Sequence, residues 1–272
     1  MTQKAVTPRI IRIWSTPDPR RVVAIAARMT YSNIPVDQLQ DKLTDAEIDR
    51  SVKAILERRH YSVLRHVSFS FAVTGVGRAF SHQLVRHAAG HAYEQRSQHY
   101  RTEKDFDYVL PGTVELAGQQ ESYVDFMSWA QDYYDELMKA GVPKEDARQV
   151  LPNAVETHLI WTANLEGIVN FVKARACRVN TQEIKSIASL VRREVIKDIP
   201  EAAPYLGPTC LTQGVCYEGQ KFFTACNKPW QTPTVLWTPE FPKKIQLVGV
   251  GGEQAEVDGL STYAVNKKPH DV

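Results

Sequence analysis

Long apolar runs are missing from this sequence, and so is a strong charge of either sign. No stretch approaches the roughly 20 apolar residues that a membrane-spanning helix needs. The formal net charge of the 272 residues is only +2, which argues against binding nucleic acid or a membrane surface through general attraction. Any recognition of phosphate must then be local. Cysteine is scarce, with four in the chain: Cys177 stands alone, and Cys210, Cys216 and Cys226 come late without a CxxC pair. Three thiolates can hold zinc or an iron–sulfur cluster. Cysteines packed as small hydrophobes are the alternative, and no metal is expected. Met1 to Arg12 lacks the apolar core of a signal peptide, so the expectation is a cytoplasmic protein with reduced thiols.

What is present is concentrated in residues 78 to 101. This stretch carries four of the eight histidines together with four arginines. Phe80, Leu84 and Val85 share one face of a predicted helix. Ala88, Ala89 and Gly90 then permit close approach of a backbone or flat ligand, and Glu94, Ser97, His99 and Arg101 follow on what reads as a loop. One such residue alone fits a solvated helix end, its cations favoured by the dipole. The cluster fits a binding site, because functional groups collect on loops held by rigid elements. Arginines and hydroxyls suit a phosphate, and Glu94 suits a sugar hydroxyl or a ring N–H.

The length allows a full core, read as a body over 1–203 and a Pro/Gly-rich tail over 204–272 packed on it, its last residues mobile. Ile10 to Trp14 reads as a strand, Pro17 to Tyr31 and Thr44 to Arg59 as helices, with a capping box of Thr44 and Glu47. Val67 to Val73 alternates strictly, so Val67, Phe69, Phe71 and Val73 face a core. A short strand is expected at Phe106 to Leu110 and a long helix over Glu115 to Met138, whose stripe of Tyr123, Phe126, Tyr133 and Leu137 reads as core packing. Asn153 to Ile199 reads as almost continuous helix. Within it Asn164 and Asn170 sit among apolar residues and mark polar contacts or internal caps.

Taken in order, these blocks resemble the flavin-dependent thymidylate synthases. Arg86-His87 opens the family's Arg-His-Arg signature and Ser97-Gln98-His99-Tyr100 is similar to its Ser-x-Arg-Tyr close, with one residue inserted. Arg59-His60-Tyr61-Ser62-Val63-Leu64-Arg65-His66 resembles the family's Gly-His-x-Ser-x-Leu-Glu-His. Glu145-Asp146-Ala147-Arg148, Leu151-Pro152, Trp161-Thr162-Ala163-Asn164, Asn170-Phe171, Arg175 and Glu183-Ile184 extend the likeness over about residues 22 to 200. The resemblance implies an α/β (α+β) fold with an antiparallel sheet and flanking helices, an extended C-terminal tail, and a homotetramer with shared active sites. It implies methylation of C5 of a uracil nucleotide, dUMP foremost, with FAD, NADPH and methylenetetrahydrofolate.

By the same likeness, Gln83, Arg86, Glu94, Ser97, Gln98, His99, His158 and Arg175 contact the nucleotide, with Arg175, Ser97 and Arg86 catalytic. His60, Ser62, Arg65, His87, Ala88, Glu94, Asn164 and Asn170 hold the flavin. The chain departs from the pattern at Ala88, His91, His99, Arg65, His158 and Glu166, several of them positions where the pattern has arginine. Such a divergent member implies altered ligand geometry: a methylase of UMP or another pyrimidine nucleotide, or a nucleotide- and flavin-binding protein that has lost the reaction. His87, His91 and His99 are expected to serve phosphate only when protonated, with weaker nucleotide binding above neutral pH.

Overall fold

The computed structural model describes residues 3–213, together with the backbone of two further strands at 244–248 and 254–258. The chain opens with β1 (Ala5–Val6) and β2 (Arg9–Ser15), then α1 (Pro19–Arg28), α2 (Val36–Lys42) and α3 (Asp45–Glu57). A 3₁₀ turn over Tyr61–His66 leads into β3 (Ser68–Gly77), which runs directly into α4 (Arg78–Leu84) and, after a turn, β4 (His91–Gln95). Then come β5 (Tyr108–Val109), α5 (Gly112–Leu116), α6 (Gln120–Lys139) and α7 (Lys144–Ala147). β6 (Glu156–Asn164), α8 (Leu165–Arg175), α9 (Gln182–Asp198) and α10 (Thr209–Gln213) follow, and β7 (Lys244–Val248) pairs with β8 (Gln254–Asp258).

The alternation in β3 does what its pattern predicts: Val67, Phe69, Phe71 and Val73 are fully buried. Four strands pair in the order β2-β3-β6-β4, every pairing antiparallel. Apolar side chains of α1 (Val23), α3 (Val52, Leu56), α8 (Ile168, Phe171) and α9 (Ile184, Ile187, Val191) close over one face of this sheet in a single core. Each fully buried side chain of this size contributes about 1.5–3 kcal/mol. Leu206 joins the same core, and its carbonyl accepts from Arg192 Nε at 2.9 Å. The mixed α/β fold with an antiparallel sheet is therefore as expected. The capping box also forms, with the Glu47 carboxylate accepting from the Thr44 N–H at 3.0 Å and the Thr44 hydroxyl at 2.9 Å.

Several expectations need correction. The stretch 153–199 is not continuous helix, because β6 occupies its first part. Thr157, Leu159, Trp161 and Ala163 are buried on one side of β6, while Ile160 is 48% exposed on the other. The run Leu159-Ile160-Trp161 hides this alternation, since a short apolar run fits strand and helix alike. Residues 91–95, read as loop, form the edge strand β4, held by β6 through the pairs His91↔Ala163 and Tyr93↔Trp161. The long helix starts at Gln120, after a break at Gly118 with φ 66°. Its core face is Met127, Ala130 and Tyr134, whereas Phe126 and Tyr133 of the expected stripe are 50% and 39% exposed. They stack on Trp129 along the outer side, at 6.0 and 5.6 Å between ring centroids.

The turn from β3 into α4 fixes where the candidate site lies. Gly75 adopts φ 69°, and a Cβ there would fall 1.9 Å from the Thr7 carbonyl oxygen. Only glycine fits that bulge. The carboxylates of Glu156 and Glu183 accept from the Gly75 and Gly77 N–H groups at 2.8 and 2.7 Å, tying the strand–helix junction to β6 and to the start of α9. Of the predicted tail, residues 204–213 include α10, and most of the remainder lies outside the described residues, as do Cys216 and Cys226.

Phe71 lies in the middle of this core, so Phe71→Ala is expected to lower unfolding stability by about 3–5 kcal/mol. Ile160→Thr, on the opposite face, is expected to change it by less than about 1 kcal/mol. Urea denaturation of both variants measures the contrast.

Candidate functional site

Two helix ends meet beside the inner face of the sheet. α4 ends at Leu84, and the turn after it delivers His87; α8 ends at Arg175. The Arg175 guanidinium joins the two: Nε donates to His87 Nε2 at 2.9 Å, and one Nη donates to the Gln83 carbonyl at 3.1 Å. A longer contact of 3.5 Å runs to Asn180 Oδ1. The Thr181 hydroxyl lies 3.5 Å from the Gln83 side-chain oxygen. The phenol of Tyr93, from β4, donates to the His87 carbonyl at 2.6 Å and lies 3.0 Å from that of Leu84. It thereby satisfies carbonyls that a helix C-terminus leaves open, and its burial raises the proton affinity of that phenol.

The imidazoles here are neutral. His87 accepts at Nε2, so its proton sits on Nδ1. Burial, followed by the charge of Arg175 and the nearness of His91, lowers its pKa to about 4. His91 is the opposite tautomer: Trp161 Nε1 donates to its Nδ1 at 2.9 Å, and the two rings are nearly parallel. Its Nε2 faces Gly167, where a Cβ would come within 2.7 Å. Burial lowers the His91 pKa, against a hydrogen bond with the Gly167 backbone. His87 and His91, expected to bring positive charge to a phosphate, here accept hydrogen bonds and have their proton affinity lowered by burial. They fill an aromatic wall with Phe171 and Trp161, whose rings meet edge to face at 4.7 Å.

A second group lies along the 3₁₀ turn and α8. His60, Ser62 and Arg65 are exposed there, and Arg65 is paired with Glu166. Among the described residues the side chains of His60 and Ser62 have no hydrogen-bond partner. Asn164 caps α8, its side-chain oxygen accepting from the Gly167 N–H at 2.8 Å. Its amide also packs against Gly90, whose φ is 77°. Of the two readings of Asn164, the internal cap is the one observed. Asn170 is exposed rather than embedded, because it lies on the outer side of α8. Sequence reasoning missed two cations at this place. Lys173 stands 4.5 Å from the centre of the Tyr61 ring, its proton affinity lowered by burial and then by Arg59. Arg59 itself has φ 56°, a conformation more often given to glycine.

A third group flanks β4 and β6. Glu94 pairs with Ile160 in the register, so Glu94 and His158 face the side of the sheet away from the core. Beyond β4, the Ser97 hydroxyl oxygen accepts from the N–H groups of His99 and Tyr100 at 3.1 and 3.3 Å. Gln98 follows Ser97 in this turn, and His99 meets the Tyr100 ring edge on. Within one chain the structure brings Gln83, His87 and Arg175 together. It sets Glu94 and His158 on the other face, and Arg86 and Ala88 are exposed between.

Comparison with known proteins places these blocks in context. The family model described as thymidylate synthase complementing protein, Thy1, matches residues 11–201. A flavin-dependent thymidylate synthase of Geobacter sulfurreducens is 39% identical over 214 residues, 78% of this chain and 91% of that protein. One of Clostridium tetani is 33% identical over 236 residues, 80% of this chain and 94% of that protein. Among solved structures, a UMP/dUMP methylase PolB from Streptomyces cacaoi, bound with 5-Br dUMP, superposes with a TM-score of 0.63. It is 19% identical, and the match covers 74% of this chain and 96% of that one, a likeness of fold.

His87 gives a pH signature. The unfolded chain takes up a proton near the ordinary histidine pKa of about 6.5, whereas the folded chain does so only at about 4. Stability from this group is present above about pH 6.5 and is lost as pH falls toward 4. Urea midpoints between pH 7 and 4 are expected to fall less steeply in His87→Gln than in the parent protein. Equal slopes would contradict a neutral, half-buried His87.

Proposed function

This chain belongs to the thymidylate synthase complementing protein family, and from that membership we propose that it is an enzyme methylating C5 of a uracil nucleotide in a flavin-dependent reaction. dUMP is the acceptor in this reading, with methylenetetrahydrofolate as one-carbon donor and NADPH as reductant. The names of the relatives support the flavin and the thymidylate product, and the likeness to PolB, a UMP/dUMP methylase, supports a uracil nucleotide. The observation that carries the reading is the Arg175 guanidinium, fixed by His87 and the Gln83 carbonyl at the joined ends of α4 and α8.

Methylating a uracil carbon requires electron density on C5 and stabilisation of negative charge developing at O4 or N3. A pre-positioned guanidinium does the second, because donors already fixed in place need no reorganisation when charge appears. Neutral His87 contributes by accepting from Arg175: it orients the guanidinium without offsetting its charge. In this reading Arg175, Ser97 and Arg86 are catalytic, and Gln83, Glu94, Gln98, His99 and His158 complete the nucleotide contacts.

The residues along α8 fit a flavin. His60, Ser62 and Asn170 are exposed polar groups free to donate or accept, and Arg59 and Lys173 supply positive charge suited to a diphosphate. Arg65, His87, Ala88, Glu94 and Asn164 complete the proposed FAD-binding set, although Asn164 also serves as a cap. When bound, the flavin supplies hydride chemistry that no side chain offers. Glu94 and His158 face away from the core, while Gln83 and Arg175 lie on the core side. A pocket containing both groups therefore needs more than one copy, which supports a homotetramer with shared sites. The reading includes a catalytic body over 1–203 with a tail over 204–272, and a cytoplasmic location with no nucleic-acid or membrane partner. No helix among the described residues is long and apolar enough to cross a membrane.

Purified protein is expected to be yellow and to convert dUMP to dTMP with methylenetetrahydrofolate and NADPH. Arg175→Ala is expected to lower kcat by roughly 100-fold or more, the effect of removing one fixed electrostatic donor, while FAD remains bound. Colourless protein that takes up no FAD, or an Arg175→Ala variant with full activity, would overturn the proposal. Tight nucleotide binding without turnover would identify a binding protein instead.

A further inference from the structure

The outer side of α6 carries an aromatic ladder. Phe126, Trp129 and Tyr133 follow one another at helical spacing, their rings stacked at 6.0 and 5.6 Å between centroids, and Trp129 is 59% exposed. Contiguous exposed apolar surface marks a place where something docks. The helix beneath is fixed. Met127, Ala130 and Tyr134 are buried, and the Gln131 side chain accepts from the Phe106 N–H and donates to the Glu103 carbonyl, each at 3.0 Å. The Tyr123 hydroxyl donates to the Val109 carbonyl at 3.0 Å. A rigid support, and not a loose helix, therefore holds the ladder out. Asp125, Asp132 and Glu136, all exposed, line one flank of it, because residues at these spacings share a side of a helix.

The occupant suited to this ladder lies near the C-terminus. Among the described residues β7 and β8 pair only with each other, and a lone two-stranded hairpin is marginal in water unless one face packs on something. Their register gives the hairpin two faces. Ile245 opposite Val257 and Leu247 opposite Ala255 fall on one, whereas Lys244 opposite Asp258, Gln246 opposite Glu256 and Val248 opposite Gln254 fall on the other, since successive strand positions alternate between faces. The first face is wholly apolar. Two positions per strand, on strands about 4.8 Å apart, match a ladder that runs about 10 Å along α6 at roughly 1.5 Å per residue. Lys243 and Lys244 open the hairpin and complement the acidic flank of the ladder. Residues 214–243 separate α10 from β7; extended, they reach about 100 Å, farther than the roughly 45 Å across a compact body of this length. The family match stops at residue 201, so the hairpin lies beyond the body that the relatives share.

We infer that the hairpin of β7 and β8 folds back on its own chain and lays the face of Ile245, Leu247, Ala255 and Val257 over the Phe126, Trp129 and Tyr133 ladder of α6. This docking gives the proposed packing of the tail on the body a definite place. It is independent of the reaction assigned to the site, because no part of it needs flavin or nucleotide. The buried side of α6 holds Glu103 and Phe106 of the segment after β4, so the tail braces that segment from behind.

The test uses the full-length protein with two readouts resolved along the chain, hydroxyl-radical labelling of side chains and amide hydrogen exchange. Combining Ile245→Lys with Leu247→Lys is expected to raise labelling of Trp129 several-fold, while buried Trp161 stays unlabelled. In the reciprocal variant, Trp129→Lys, the amides of 244–248 and 254–258 are expected to exchange roughly tenfold faster or more, as follows when burial of one large apolar side chain is lost. Exchange in β3 and β6 should not change, because lysine is a good helix former at an outward position. If either change is missing, the docking is wrong. Trp129 labelling that rises on dilution of the parent protein would give the ladder to a second copy and overturn docking within one chain. Loss of flavin binding or of turnover bears on the methylase reading alone and leaves both readouts as they are.

Discussion

A guanidinium held between two helix ends is the constraint around which the site is arranged. Arg175 donates to a ring nitrogen of His87 and to the carbonyl of Gln83. The first of these bonds is possible only while His87 is neutral, and burial beside Arg175 keeps it so. The interaction thus sets two things together: the angle at which α4 meets α8, and the protonation state of the histidine between them. Tyr93 reinforces it from below by donating to the His87 carbonyl, which couples the arrangement to the edge strand β4.

The sheet explains why that joint is rigid. β6 is the central partner, paired with β3 on one side and β4 on the other, and its Trp161 both fills the core and donates to His91. The core side of the sheet carries aromatic packing and neutral imidazoles. The other side carries Glu94, His158 and exposed Ile160. The polar groups are accordingly divided: the fixed guanidinium of Arg175 lies at the helix ends, while the turn that carries Ser97 and His99 lies beyond β4. Within one chain Glu94 and His158 lie on the opposite face of the sheet from Arg175, which is why the proposed pocket is shared between copies.

Much of the fold was legible where periodicity is strict. β3 could be read residue by residue because Val67, Phe69, Phe71 and Val73 alternate with small or polar residues, and α3 announced itself through Thr44 and Glu47. β6 escaped because Leu159, Ile160 and Trp161 run together without alternation, and α6 misled because its outward side is as aromatic as its inward one. At the site, the family resemblance set Gln83 and Arg175 with the nucleotide and His87 with the flavin; that Arg175 binds both His87 and the Gln83 carbonyl was not legible. The protonation of His87 was not either, since it depends on burial and on which nitrogen faces Arg175. Nor was the setting of Glu103, an ordinary acidic residue in sequence, which the fold buries against Arg96.

The most direct test of this account is the imidazole state of His87, read from nitrogen chemical shifts of protein carrying 15N-labelled histidine at pH 7, with the resonance identified by its loss in His87→Gln. The account predicts a neutral ring with its proton on Nδ1 and an accepting Nε2. A doubly protonated ring, or a proton on Nε2, would contradict it, because Arg175 would then have no acceptor there and the joint between α4 and α8 would have to be held in some other way.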